Sequence, residues 1–491
     1  MNFVEEMLLS KSRYLYGLQC SKLLWIATNE PERVPGPDAA TQYRFDQGHL
    51  VGELAKKLFP GGIDLSSEDF AANITLTKEL LRQRRPLFEA SVLAEQIYSR
   101  ADILNPAGED EWDIIEVKSS TSVKEVNYHD VAFQKLCWQD SGVRIRKCFL
   151  AFINNQYVRN GEVNPKELFT IQDISDEVAV ASDGMRDRIA EMLSVIGSPR
   201  CPEMDIGPHC SNPYPCPLTE CWEGLPEHSV FTLYYGGNKS HELYRSGILD
   251  ITQIPAGYKL NDKQRIQCAC VVSGRPYVDE EAIRQFLAEL EYPLYFLDFE
   301  TFGTAIPLFD GTKPYQNIPF QFSVHVQERP ASEPRHFSFL AEGKQDPRPE
   351  LVASLSRLIG SNGSVVAYNK TFEEGVLRGL GNAFPDYADW IESVISRLVD
   401  LIVPFRSFHY YHPSQKGSAS LKSVLPAVTG QSYENMTIAS GDDASLAFLT
   451  ITFAEVPADE AARVRKELLA YCKMDTEGMV RIVERLKEIA R

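Results

Sequence analysis

Apolar and polar positions alternate at two different periods along this chain, and the period changes with position. The stretch QYRFDQGHLVGELAKKLF (42–59) repeats its apolar residues at helical spacing. Around 87–118 and 147–158 the pattern shortens to strand-like alternation, before a Pro/Cys-rich segment, PRCPEMDIGPHCSNPYPCPLTECW, closes residues 1–222. Residues 223–285 carry short helical pieces broken by turns, as in SHELYRSGILDITQIPAGYKLNDKQRIQ, and predict a helical connector. Residues 286–491 alternate strand-like runs (YPLYFLDFE, FQFSVHVQ, SVVAYN) with helical ones and close on a long helix from about 459 to 490. The expectation is an α/β protein with domains at 1–222 and 286–491 flanking the connector 223–285. A chain of 491 residues also exceeds what one hydrophobic core organises.

Composition changes this picture little. Apolar residues make up 44% and charged ones 24%, ordinary values for a globular chain. No apolar run approaches a membrane span, and the opening MNFVEEMLLSKSRYLYGLQC lacks the basic and apolar regions of an export signal. These features predict a cytoplasmic protein with no membrane partner. The net charge of −18 opposes a polyanionic partner in general, yet the basic runs RQRRP (82–86) and RIRK (144–147) leave local phosphate contacts open. The ten cysteines of such a chain are expected as thiols, not disulfides. Cys137, Cys148, Cys268, Cys270 and Cys472 sit in apolar or helical contexts and are expected to pack in cores.

Chemistry is suggested first by EWDIIEVKSS (111–120), where strand alternation puts Glu116 and Lys118 on one face, and by IYSRADIL (97–104), which carries Asp102. Two acids and a lysine at a sheet edge suit phosphodiester hydrolysis, the acids holding Mg²⁺ or Mn²⁺ and the lysine positioning the nucleophile. A solvated strand end is the plain alternative. The helix-like segment NYHDVAFQKLCWQDSG follows, with Gln134 and Trp138 spaced i, i+4. The whole resembles the PD-(D/E)xK nucleases of the RecB and AddB type, with their restriction-endonuclease-like fold. The resemblance implies Asp102, Glu116 and Lys118 as catalytic residues and Gln134 as the glutamine of the helix motif, with Trp138 where the family has tyrosine. Glu89, Glu53 and His49 are candidates for the upstream position.

This nuclease group includes members clamped by one cysteine before the core and three after it. Cys20 and the C-x5-C-x4-C run of Cys210, Cys216 and Cys221 match that arrangement and imply a [4Fe-4S] cluster. The alternatives are Zn²⁺ on Cys201, Cys210, Cys216 and Cys221, and a redox sensor without a hydrolytic role.

A second acid pattern lies in PLYFLDFETFG (293–303), where Asp298 and Glu300 share one side of a strand. An acidic strand end facing water is again the plain alternative. Later, SVVAYNKTFEEGVLRGL leads through Asn369 to Phe372 and Glu373 at a helix start, and LLAYCKMDTEGMVRIVERL sets Tyr471 and Asp475 four apart on a helix face. Together these resemble the DnaQ-like exonucleases of the ribonuclease H fold, which imply two cations held by Asp298, Glu300, Glu373 and Asp475, with Tyr471 orienting the attacking water. Glu373 replaces the family's aspartate, and Asp400 is a supporting acid. Lys416 and Lys422, in the loop YYHPSQKGSASLKSVLP, are candidate phosphate contacts. The order of the two halves is similar to a bacterial family that fuses an iron–sulfur RecB-like nuclease to a ribonuclease H-like 3'-5' exonuclease. The expected function is therefore metal-dependent hydrolysis of DNA ends or single strands at two sites, the alternative being a nucleic-acid-binding protein with one degenerate nuclease domain.

Overall fold

The computed structural model describes residues 8–491; the reading of the chain's opening rests in part on residues 1–7, which lie outside them. The chain is mixed α/β and divides into two compact units. One contains Met1–Glu223 and Thr304–Tyr315, the other Gly224–Gly303 and Gln316–Arg491. Among the described residues, no helix is long and apolar enough to cross a membrane.

The first unit is built on a seven-stranded sheet of β1 (Leu9–Ser10), β2 (Ile63–Asp64), β3 (Leu87–Ala94), β4 (Ile97–Ala107), β5 (Glu111–Lys118), β6 (Ile145–Ile153) and β7 (Phe169–Asp173). The order is β2-β3-β4-β5-β6-β7, with β1 parallel to β4. Strands β3, β4 and β5 run antiparallel, whereas β6 is parallel to β5 and so requires a crossover. The helices that matter here are α1 (Lys11–Gln19), α2 (Ser21–Asn29), α3 (Ala39–Lys56), α4 (Glu125–Asp140) and α5 (Met185–Ile196); α4 is the crossover. Period-two alternation gives the sheet two apolar faces. Leu104 and Ile114 join Tyr14 of α1 and Phe133 and Trp138 of α4 on one. Ile103, Ile115 and Ala151 join Val51 and Ala55 of α3 on the other, together with Ala305. The segment 304–315 is held in this unit by Arg159, whose guanidinium donates to the carbonyls of Pro307 and Leu308 at 2.8 Å each.

The second unit holds β8 (Tyr277–Val278), β9 (Leu294–Phe302), β10 (Ile318–Gln327), β11 (Arg335–Leu340), β12 (Val365–Ala367), β13 (Leu398–Asp400) and β14 (Tyr410–Tyr411). Its main sheet has the order β11-β10-β9-β12-β13. The three strands β11, β10 and β9 are antiparallel, and β9, β12 and β13 are parallel. Its principal helices are α6 (Asp262–Ser273), α7 (Arg348–Leu358), α8 (Thr371–Ala383), α9 (Leu421–Thr429) and α10 (Ala458–Ile489). Tyr295, Leu297 and Phe299 of β9 pack with α7 and α8 on one face. The opposite face, which carries Asp298 and Glu300, lies under α10, which packs on β9 and β10. Residues 224–285, expected as a separate connector, belong to this unit. Tyr234 and Cys270 form an apolar cluster with Phe408 and Tyr411. At Gly417, φ is +76° and a Cβ would lie 2.1 Å from the Thr232 carbonyl oxygen, so only glycine permits this approach.

Candidate active sites and cysteine cluster

In the first unit, β4, β5, α4 and α1 bring acids and lysines into one buried network. Glu116 is 1% exposed, and its Oε1 accepts from Lys118 Nζ at 2.6 Å and Lys11 Nζ at 2.8 Å. Its Oε2 accepts from Gln134 Nε2 at 2.6 Å. Asp130, one helical turn before Gln134, accepts from Lys118 Nζ at 2.8 Å and from Gln134 at 2.9 Å. Asp102 accepts from the backbone N–H of Val117 at 2.7 Å. Burial and the adjacent Glu116 charge push Asp102 up to about 7. Burial would raise Glu116 as well, but the Lys11 and Lys118 charges outweigh it and hold Glu116 below the carboxylate range. The two ammonium groups are held above their ordinary value in turn, because Asp130 and Glu116 more than offset burial.

The structure thus brings together Asp102, Glu116, Lys118 and Gln134, and adds Lys11 and Asp130. Lys11 lies 105 residues from Glu116, with no local pattern to announce it. Asp130 was visible, at i−4 from Gln134 in the same helical segment. Of the three upstream candidates, Glu89 is the one placed at this site. Its carboxyl is raised, first by burial and in part by Glu116. Its φ of +56° is unusual for a non-glycine residue, and it stands opposite Asp102, where the β3–β4 register runs from Phe88↔Ile103 to Ala90↔Ala101. His49 and Glu53 are exposed on α3, and Glu53 pairs with Lys56. Trp138 is buried in the core.

Cys20 sits between α1 and α2 and is buried, with Cys201, Cys216 and Cys221 packed against its cluster. Burial raises the thiols of Cys210 and Cys216, and both also feel Cys20 and Cys221. Cys201 is raised by burial too, but the groups acting on it are Lys22, Arg33, Glu30 and Glu220. Hydrogen bonds tie the two chain segments together beside these thiols. Gln19 Nε2 donates to the carbonyls of His209 and Tyr214 at 2.8 Å each, and Lys22 pairs with Glu220 at 3.0 Å.

In the second unit, Asp298 and Glu300 project from β9 toward α10, where Asp475 and Tyr471 lie one turn apart; Glu373 enters from the first turn of α8. Glu300, Glu373 and Asp475 are buried, and Asp298 is partly exposed. Asp298 is raised well above the carboxylate range by burial and by Asp475, Glu300 and Glu373. Glu300 is raised by burial and by Asp475 and Glu373, although Lys422 opposes this. Glu373 is pushed up to about 8 by burial and Asp400, and its Oε2 has no hydrogen-bond partner among the described residues. Asp475 reaches about 6 by burial, moderated by Lys422 and by the Tyr433 hydroxyl, which donates to Oδ1 at 2.5 Å. Four acids therefore converge, and among the described residues the ammonium group acting on Glu300 and Asp475 is that of Lys422. This excess of uncompensated carboxylate is a donor set that suits a hard divalent cation.

Cys472 departs from the expectation of plain core packing. It is buried, but its Sγ donates to Asp298 Oδ2 at 3.3 Å, and its donor atom lies within 4.8 Å of those of Asp298 and Glu300. Burial and the adjacent acids raise its thiol well above the usual range, so it stays a neutral donor. Asp400 accepts from the backbone N–H groups of Asn369 and Ile402 at 2.9 and 3.2 Å. Lys416 forms an ion pair with Glu227 at 3.0 Å, whereas Lys422 Nζ stands 5.9 Å from the Tyr471 ring centroid. Tyr433 carried no sequence signal, being 42 residues from the acid it touches.

Residues 295–420 match the family described as "Domain of unknown function (DUF2779)". That stretch includes Asp298, Glu300 and Glu373. The chain is also 26% identical over 211 residues to "Uncharacterized protein MG366 homolog" of Mycoplasma pneumoniae, a match covering 39% of this chain and 32% of that protein. It is 24% identical over 215 residues to "Uncharacterized protein MG366" of Mycoplasma genitalium, covering 40% and 32%. The chain thus spans about a third of the length of the curated relatives it matches.

Proposed function

We propose that this protein is a metal-dependent nuclease that hydrolyses phosphodiester bonds of DNA ends or single strands, with a ribonuclease H-like exonuclease site in the second unit and a PD-(D/E)xK site in the first. The observation that carries the reading is the convergence of Asp298, Glu300, Glu373 and Asp475 from one strand and two helices, all raised and one with an orphaned buried oxygen. Such a cluster destabilises a fold unless a cation completes it, and groups perturbed in this way concentrate at functional sites. The four carboxylates would hold Mg²⁺ or Mn²⁺, which when bound supplies charge neutralisation on the phosphate and a more acidic attacking water. Tyr471, one helical turn before Asp475, would orient that water through its hydroxyl. Tyr433 donates to Asp475 Oδ1, and Lys422 would draw the phosphate backbone toward the acids.

In the first unit, Asp102 and Glu116 would hold the cation, while Lys118 positions the attacking water and Gln134 fixes the Glu116 carboxylate. A second reading, in which this unit is a nucleic-acid platform without turnover, is favoured by Lys11, whose ammonium already neutralises a Glu116 oxygen.

The thiols of Cys20, Cys210, Cys216 and Cys221 are assigned to a [4Fe-4S] cluster. What supports Cys20 as the fourth thiol, in place of Cys201, is that Cys210 and Cys216 both feel Cys20 and Cys221, whereas the groups acting on Cys201 are Lys22, Arg33, Glu30 and Glu220. The test is degradation of labelled single-stranded DNA with Mg²⁺ or Mn²⁺ by wild type, Lys118→Ala and Asp298→Ala. Activity lost with Asp298→Ala and reduced with Lys118→Ala is expected. Cleavage untouched by either substitution, or no cleavage at all, overturns the two-site reading.

A further inference from the structure

We infer that the second unit carries a base-stacking subsite for single-stranded nucleic acid, built around Tyr235 beside the acid cluster; this rests on the nuclease reading proposed above. A cavity of about 560 Å³ is lined by Tyr235, Tyr368, Asn369, Arg406, Ser418 and Ser420, among others. Tyr235 is 80% exposed, the most exposed large hydrophobic side chain among the described residues. Its backbone is left-handed, with φ +46°, a conformation that costs energy for a residue with a Cβ.

The surrounding chain fixes the residue on which the ring packs. Tyr235 packs edge-on against Tyr234 at 4.6 Å, and Tyr234 is fixed by its N–H donating to Gln267 Oε1 at 2.7 Å and its carbonyl accepting from Gln264 Nε2 at 3.0 Å. The next residue, Gly236, sits in tight space, where a Cβ would lie 2.1 Å from Ser240 Oγ and 3.1 Å from the Leu233 carbonyl oxygen. An aromatic face that already packs on a neighbouring ring has less freedom to lose when a planar ligand stacks on it. Asn369 on the cavity wall lies four residues before Glu373, just ahead of α8. Leu421, also on the wall, adjoins Lys422, whose charge acts on Glu300 and Asp475. The exposed guanidinium of Arg406 on the same wall supplies a phosphate contact. Aromatic face, cation and proximity to a phosphodiester-cleaving site together define a nucleotide of a single strand as the occupant, with the base on Tyr235 and a phosphate toward Arg406. Duplex bases, already stacked on their neighbours, cannot use it.

The test measures binding of fluorescein-labelled oligothymidylate to the full chain in Ca²⁺, for wild type, Tyr235→Ala and Tyr235→Phe, with a matched abasic strand. Hydrolysis of methyl p-nitrophenyl phosphate, an ester without a nucleobase, in Mn²⁺ serves as the readout of the acid site alone. Tyr235→Ala is expected to weaken oligothymidylate about 5- to 150-fold, while Tyr235→Phe stays near wild type and ester hydrolysis is unchanged. The abasic strand should bind wild type more weakly yet bind Tyr235→Ala no worse than oligothymidylate does. Unchanged binding by Tyr235→Ala, equal abasic penalties in both proteins, or no binding by wild type overturns the subsite. If neither the ester nor any strand is cleaved while the Tyr235-dependent binding persists, the hydrolytic reading falls and the subsite stands.

Discussion

Replacing Glu373 by glutamine should stabilise the metal-free protein near neutral pH, against the usual cost of altering a buried residue. Glu373 is pushed up to about 8 in the folded chain from an ordinary value of 4.5. Between these two pH values the folded state keeps a proton that the unfolded chain has released. The unfolded state then binds fewer protons, so stability falls as pH rises from 4.5 and levels off above about 8. At pH 7 the difference of 2.5 pH units from 4.5 amounts to at most about 3 kcal/mol. Glutamine keeps the shape of the neutral acid and has no proton to lose, so it removes this cost. For a unit of this size, ~3 kcal/mol corresponds to a melting-temperature rise of about 6–12 °C. The assay is thermal melting of both proteins in EDTA at pH 4.5 and pH 8, repeated with Mn²⁺. The variant should exceed wild type at pH 8 but match it at pH 4.5, and Mn²⁺ should stabilise wild type more than the variant, because a ligand that binds only the folded state raises stability. A variant melting at or below wild type at pH 8 in EDTA refutes the reasoning, as does an equal response to Mn²⁺.

Tyr433→Phe removes the donor that holds Asp475 down. The acid limb of the pH–rate profile of the second site should move to higher pH, read on the p-nitrophenyl ester. Asp130→Ala leaves the Lys11 and Lys118 ammonium groups without their first electrostatic partner, and denaturant unfolding of the first unit should show a loss of about 3 kcal/mol. Cys20→Ser should abolish iron and sulfide in anaerobically purified protein, whereas Cys201→Ser should retain them; equal loss in both would remove Cys20 from its special place among the thiols.

Residue spacing within a few positions was enough to read the α/β class, the D-x-E strand, the helix carrying Tyr471 and Asp475, and the E-x-K strand with its glutamine helix. Strand and helix periods act over two to four residues, so a single sequence displays them directly. Tertiary structure decided which distant groups meet. Lys11 reaches Glu116 across 105 residues, and Tyr433 reaches Asp475 across 42. Glu89 was separated from Glu53 and His49 only by its place opposite Asp102 on the neighbouring strand. Cys472 looked like a core residue because its apolar neighbours on the helix are legible, while the acid it faces comes from a strand 174 residues earlier. The association of 224–285 with the second unit and of 304–315 with the first was equally invisible. Packing of that kind depends on close approach, as at Gly417 and Thr232, and on backbone carbonyls such as those Arg159 binds. Local composition carries no trace of such contacts, because the free energy that selects them arises only when remote surfaces are desolvated together.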